Sequence, residues 1–431
     1  MEKRTMHPPH PIVAATFAAM RRPSLMPKMA GKQVTLEHAQ ELLCDAVSPM
    51  AESESCSLLE AMDRIAFEDI HADLPIPSFD SSPVDGYALR HEDSKGACPE
   101  HPARLPVTRL VFAGGGAPLP LGPGEAARVM TGAMIPQGAD CVIRQEDTDR
   151  GEKFVSVYKQ ARWQENFSFC GENIRKGQLL VSRGQQLNFA HVGLAAGQGH
   201  AEIQVFRRPR VAVMACGDEL TQQNDVLLTG KIYDISTLML LSKLKSIGMY
   251  PVIAENTADN VPALCERILA LLGDNDFVIT TGGTSEGQHD FMPAVLDKIG
   301  GTCLFRGLAM HSSKQVTAMR IGEKILLCLS GNPFSAAANF ALLGKPALCK
   351  LAGHSQFFLQ RQKGIARNFF HKPSPLRRLV PAKITGQDVS IPPQAYATAM
   401  LTSLTECNCM VDILPSAKSV KLGDTIDVIL C

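Results

Sequence analysis

From Arg208 onward the chain alternates two textures. Short apolar runs, as in "RVAVMACGDEL", "FVITTGGTS" and "KILLCLSGNPF", give way to stretches whose apolar residues recur near a 3.6-residue period, as Phe291, Val295 and Ile299 do. Runs that are apolar at every position suit strands covered on both faces, and the periodic segments suit the covering helices. The pattern predicts a parallel-sheet α/β domain over residues 208–355. Three of its strands run directly into loops of small residues. Residues 211–215 lead into Cys216, Gly217, Asp218 and Glu219; residues 277–280 into Thr281, Gly282, Gly283, Thr284 and Ser285; residues 325–329 into Ser330, Gly331, Asn332 and Pro333. In a parallel sheet such loops emerge together at the carboxyl edge, where doubly wound folds bind their ligands.

The flanks read differently. Residues 34–64 carry apolar positions at helical spacing, interrupted near Pro49, which predicts two helices and a turn. Residues 107–205 show short β-like runs between Gly and Pro turns, so residues 33–207 are expected to form an elongated N-terminal region with an inserted β subdomain. From residue 356 to 431 short alternating runs return ("PAKITG", "CMVDILP", "TIDVILC") and predict a small terminal β-domain. The first 32 residues hold six Lys or Arg against one acid, and prolines at 8, 9, 11, 23 and 27 interrupt any amphipathic helix, so they are expected to be a flexible extension.

Composition narrows the function classes. Lys plus Arg and Asp plus Glu both number 43 in 431 residues, a balance that argues against a general nucleic-acid binder, because phosphate-backbone affinity needs a basic excess. A local site for a small anion is compatible with that balance. No apolar run approaches the roughly 20 residues that span a bilayer. The 13 cysteines form no CxxC pair, which suits a reducing cytoplasm better than a disulfide framework or a structural zinc site. Most are expected to be small buried hydrophobes.

The loop chemistry points to a phosphate. Glycines let backbone N–H groups approach a ligand, and a following helix favours an anion at its positive end. Pro333 sits where a helix could start, leaving neighbouring N–H groups open to an anion. Asp218, Glu219 and Asp290 add carboxylates beside the loops, and hard oxygen ligands next to phosphate suit Mg²⁺. Each feature also has a plain structural reading, a βα turn or a helix-cap carboxylate, and that reading stays open at this level.

Six ordered motifs decide more. "SSPVDGYAL" at 81–89, "RVMTGAMIPQGADCVI" at 128–143, "GDEL" at 217–220, "IYD" at 232–234, "GGTSEGQHDF" at 282–291 and "SGNPFSA" at 330–336 together resemble the molybdopterin molybdenumtransferase family (MoeA and the E domain of gephyrin). The resemblance spans nearly all the chain from Lys32. It implies a MogA-like, molybdopterin-binding α/β domain, and a homodimeric enzyme that takes molybdate and adenylylated molybdopterin, cleaves the adenylate with Mg²⁺ and releases AMP. By the same resemblance Asp218 and Asp290 would hold Mg²⁺. The residues from Thr281 to Ser285, with Gly331, Asn332 and Pro333, would hold the pterin nucleotide; Asp85, Asp290, Lys314 and Ser335 would serve catalysis, Asp85 reaching the site across the dimer. A molybdopterin adenylyltransferase or a molybdoenzyme would be the protein partners, with no nucleic acid and no membrane involved.

The departures from the family pattern cluster at the oxyanion chemistry. Where the family carries a KPGKP motif this chain has "HSSKQ" at 311–315, so Lys314 keeps its charge and His311 replaces a lysine; Gly307 stands where another lysine is common. "GED" reads Gly171, Glu172, Asn173, the "TGDEL" threonine is Cys216, the "PGNP" proline is Ser330, and "AYATAM" at 395–400 replaces a Gly-Ser pair. Two readings follow: a working transferase whose positive potential comes from Lys314, His311 and Arg306 or Arg320, or a weakened paralogue that binds pterin nucleotide as a scaffold.

Overall fold

The computed structural model describes residues 33–254, 260–283, 291–311, 314–393, 401–415 and 419–430. Two compact units share the chain: one formed by residues up to Glu68 with Arg183–Asn188 and Glu202–Cys431, the other by Asp69–Ser182 and Phe189–Ala201.

The first unit is organised around a six-stranded sheet. Its order is Tyr250–Ile253, Arg210–Ala215, Phe277–Thr281, Lys324–Leu329, Thr317–Ile321, Thr302–Arg306. The first four strands are parallel, and Thr317–Ile321 runs antiparallel to both of its neighbours, so the sheet is mixed at one side. The apolar runs are explained by burial on two faces. Val211, Val213, Phe277, Ile279, Ile325, Leu327 and Leu329 face one core with helices Leu36–Asp45 and Ser236–Ser246. Ala212, Met214, Val278, Leu326 and Cys328 face the other, against Val261–Asp274 and Met292–Ile299. Alternate residues of each strand therefore serve opposite cores, and no polar face is left to show in the sequence.

Toward the C-terminus five strands close into a barrel in the order Arg361–Ala366, Asp388–Ser390, Arg378–Thr385, Cys409–Ile413, Thr425–Leu430, which returns to the first strand. Closure removes exposed edges, so a short β segment of this length is self-sufficient in hydrogen bonding.

One expectation fails. Residues 34–64 hold a single helix, Leu36–Asp45, capped by the Thr35 hydroxyl, which accepts the His38 N–H. The predicted second helix is replaced by strand Ser53–Ser57, paired antiparallel with Glu202–Phe206, and by turns. Serines at three of those five positions are weak helix formers, and the backbone partner lies far away in sequence. Leu59 and Met62, two of the apolar positions within residues 34–64, are exposed.

In the second unit a five-stranded sheet runs Cys141–Arg144, Gly86–Leu89, Ala126–Val129, Ala103–Val111, Phe154–Val157. Twelve cysteines lie among the described residues and all are free thiols, eight of them buried. Burial pushes the Cys44 thiol up to about 11 and the Cys328 thiol up to about 12, which leaves both protonated and unreactive at neutral pH.

Candidate active site at the carboxyl edge of the sheet

Parallel registration aligns three strand ends. Ala215 pairs with Thr281, and Thr281 pairs with Leu329, so the loops beginning at Cys216, Gly282 and Ser330 leave the sheet side by side. Main chain then meets main chain. The Cys216 N–H donates to the Thr281 carbonyl at 2.7 Å, and the Gly282 N–H donates to the Leu329 carbonyl at 3.3 Å. A Cβ on Gly282 would lie 2.1 Å from the Cys216 carbonyl oxygen, and one on Gly331 would lie 3.2 Å from the Gly282 Cα. Gly282 also has φ +83°, a conformation open to glycine at little cost. Gly283 continues the turn, with the Cys216 Cβ and the Met292 side chain next to it. Among the described residues the N–H groups of Gly283 and Gly331 meet no acceptor. The edge is thus a close junction of backbone with donors at two of its glycines.

Thr281 is buried at the strand end, and Ser335 is buried in helix Pro333–Asn339. The Asn332 carboxamide caps that helix by accepting the Ser335 N–H at 3.0 Å, and the Asn332 N–H donates to the Ser330 hydroxyl at 3.3 Å. Two of the N–H groups expected to stay open beside Pro333 are therefore already engaged. Thr284, Ser285 and Asp290 lie outside the described residues.

Asp218 is exposed just beyond the first strand, and the Lys231 ammonium donates to its main-chain carbonyl. Glu219 folds its carboxylate back toward Gly217. Among the described residues no three His, Cys, Asp or Glu side chains gather as a metal cluster. Mg²⁺ needs fewer: one or two carboxylates with substrate phosphate and water complete its shell, and an exposed aspartate at this edge fits that donor set.

A cationic loop lies elsewhere along the same unit. The two ends of the 307–316 stretch meet, with the Gly307 N–H donating to the Val316 carbonyl at 2.6 Å. A Cβ on Gly307 would lie 2.6 Å from the Lys314 carbonyl, so the glycine found where a lysine is common is required by this closure. Lys314 is exposed in the turn. His311 has its pKa lowered, first by burial and then by the positive charges of Arg378, Lys372 and Lys314, so the imidazole is neutral near pH 7. The two candidate arginines separate. Arg306 pairs with Thr317, itself paired with Cys328, which puts Arg306 toward the carboxyl edge. Arg320 pairs with Ile325 at the opposite end and donates to Glu323 at 2.7 Å. Strand direction separates Arg320 from the carboxyl edge.

Asp85 belongs to the second unit and precedes strand Gly86–Leu89. The Thr131 N–H and hydroxyl donate to its carboxylate at 2.7 and 2.8 Å, and these bonds hold the Asp85 pKa below the usual carboxylate range. Two of the sequence motifs thereby meet: the aspartate of "DGYA" is fixed by the threonine of "RVMTGAM".

Three further residues take defined places, Asp234 of the "IYD" motif and two cations that no motif contains. Asp234, the acid of "IYD", is buried and caps helix Ser236–Ser246 by accepting the Thr237 N–H at 3.0 Å, an i to i+3 spacing visible in "DIST". Arg378 is buried with its Nε unpartnered among the described residues, and its Nη1 donates to the Lys372 carbonyl at 3.3 Å. Lys372 joins it beside His311. Neither cation carries a local signal, because both come from the barrel segment. Beside the first loop a cavity of about 710 Å³ opens between Leu220, Thr221, Asp225, Lys231 and Ala254.

Comparison with known proteins agrees over most of the chain. Residues 34–199 match the family described as "MoeA N-terminal region (domain I and II)", and residues 212–350 match the "Probable molybdopterin binding domain". The molybdopterin molybdenumtransferase of Staphylococcus aureus is 33% identical over 377 residues, covering 87% of this chain and 90% of the relative. Its counterpart in Staphylococcus epidermidis gives the same identity and coverage. A crystal structure of the molybdopterin biosynthesis MoeA protein from Pyrococcus superposes with TM-score 0.81 at 30% identity, covering 93% of this chain and 99% of that one. A second crystal structure, from Pyrococcus horikoshii, gives TM-score 0.81 at 26% identity. With its sheet edge, barrel and motifs all accounted for, the chain belongs to the molybdopterin molybdenumtransferase family.

Proposed function

We propose that this protein inserts molybdate into adenylylated molybdopterin and releases AMP in a Mg²⁺-dependent reaction. The observation that carries the reading is the row Ala215, Thr281, Leu329, from which three glycine-bearing loops leave in contact. Cleaving a phosphoric anhydride needs fixed donors for phosphate oxygens and neutralisation of developing negative charge. The Gly283 and Gly331 N–H groups are suited to the first role. Asp218, with Asp290, would hold Mg²⁺, which supplies charge neutralisation at the phosphate when bound. Lys314, Arg306 and the buried Arg378 supply positive potential for the tetrahedral oxyanion, and Ser335 lies on the adjoining helix. Asp85, ionised at neutral pH, keeps the catalytic role that the family implies. A homodimeric, cytoplasmic enzyme served by a molybdopterin adenylyltransferase or a molybdoenzyme belongs to the same proposal.

A second reading rests on His311. Its neutral imidazole stands where the family carries a charged lysine, which favours a weakened paralogue that holds pterin nucleotide as a scaffold. One assay separates the two: purified protein with adenylylated molybdopterin, Mg²⁺ and molybdate, following AMP and cofactor. The transferase reading expects molybdate-dependent formation of both, lost in Asp290→Ala without loss of fold. Binding of the nucleotide with no AMP released would favour the scaffold.

A further inference from the structure

The cationic loop is gripped from two sides by segments distant in sequence. On one side the Val34 N–H donates to the Gly307 carbonyl at 3.2 Å and the Ala309 N–H donates to the Val34 carbonyl at 2.8 Å. On the other, Met310 bridges Arg377, and the His311 N–H donates to the Arg377 carbonyl at 2.8 Å. Leu308, Met310 and Val316 point into the core shared with Leu36, Ala39 and Leu43, while Lys314 stays outside at the turn. The loop is therefore anchored through its apolar residues and main chain.

Those two gripping segments are themselves cross-linked. Val34 leads into helix Leu36–Asp45, whose Glu37 carboxylate accepts two bonds from Arg377 Nη1, both at 2.8 Å. Arg377 Nε donates to Asp412 Oδ1 at 2.7 Å, and its Nη2 donates to Asp412 Oδ2. Arg361 joins the same two acids, at 3.0 Å to Asp412 and 3.0 Å to Glu37. The Asp412 side chain is 4% exposed and that of Arg377 is 12% exposed, so the pair at the centre is shielded from solvent screening. Glu37, by contrast, is half exposed, and its bonds to Arg377 and Arg361 close the network over a cavity of about 390 Å³. A planar guanidinium engaged bidentately on one acid and forked on another has little rotational freedom.

We propose that Arg377, clamped between Glu37 and Asp412, is a positioning residue that sets the placement of the 307–316 loop and hence of Lys314. The chain of contacts is continuous: Glu37 fixes the helix that continues from Val34, Arg377 fixes the start of the barrel strand, and the loop hangs between them by three main-chain hydrogen bonds. The inference rests on the reading of Lys314 as a molybdate-site cation, but the clamp itself is testable without it. Among the described residues the Glu37 carboxylate is held by Arg377 and Arg361, so its effect on the loop passes through Arg377 or the helix.

The experiment uses the full chain with Glu37→Gln, Arg377→Met and Lys314→Ala. Hydrogen exchange at the Ala309 and His311 amides is expected to quicken about three- to tenfold in Glu37→Gln and more in Arg377→Met, with the Phe277–Thr281 amides unchanged. In the same variants the KM for molybdate is expected to rise about three- to tenfold with kcat nearly constant. Unaltered exchange at Ala309 and His311 in Glu37→Gln overturns the clamp. Faster exchange with an unchanged molybdate KM, while Lys314→Ala raises that KM, shows the loop held but not positioned for the anion and overturns the proposal as well. An unchanged KM in Lys314→Ala removes Lys314 from the molybdate site, a failure of the functional reading, and the exchange result alone then decides the clamp.

Discussion

On the proposed function, the glycine edge and the 307–316 loop would each hold an anion, and by opposite means. At the edge, Gly282 is wedged against the Cys216 carbonyl and Gly331 rests on Gly282, so the donors are main-chain groups fixed by sheet register. At the loop, charge comes from side chains, Lys314, Arg378 and Lys372 around His311, and the loop's placement depends on contacts with a helix and a barrel. Backbone donors survive side-chain change. Cys216 in place of threonine and Ser330 in place of proline leave the strand register intact, because neither side chain is what aligns the loops. Side-chain charge has no such tolerance, and it is in the loop that a neutral histidine stands where the family resemblance implies a lysine.

The largest effect is expected from Gly282→Ala. The new methyl would meet the Cys216 carbonyl at 2.1 Å on a backbone of φ +83°, so about 2–4 kcal/mol of stability should be lost and nucleotide binding with it. Denaturant unfolding and AMP binding check both, and a stable variant that still binds AMP would refute a backbone-built edge. A middling effect is expected from His311→Lys, which restores charge to the loop. The molybdate requirement should fall about threefold near pH 7.5, as for one modest charge interaction. In the unmutated protein the sign with pH is fixed by the lowered His311 pKa. As pH falls below about 6.5 the unfolded chain takes up the proton first, so stability declines through the window between that value and the folded one. His311→Gln should remove that decline in a pH series of unfolding midpoints. The smallest effect belongs to Arg320→Ala: with Arg320 at the far end of the sheet and paired to Glu323, molybdate KM should not change and stability should shift by less than about 0.5 kcal/mol.

The legibility of the sequence follows the same division. Strands buried on two faces leave continuous apolar runs, and the small residues ending them mark loops, so the convergence of Cys216, Gly282 and Gly331 could be read from local pattern and parallel order alone. Strand Ser53–Ser57 could not, because its identity rests on pairing with Glu202–Phe206, a partner no local window contains. Nor could the choice between Arg306 and Arg320. One antiparallel strand sends a residue to the opposite edge, and direction is not written in hydropathy. The grip on the Lys314 loop was hidden for a related reason: its contacts to Val34 and Arg377 are main-chain bonds, indifferent to side-chain type.

The central claim is that nucleotide phosphate is held by main-chain donors at the glycine edge. A crystal structure of the full chain with AMP and Mg²⁺ tests it most directly. The account predicts phosphate oxygens within about 3 Å of the Gly283 or Gly331 amide nitrogen. AMP seated away from both glycines would contradict it.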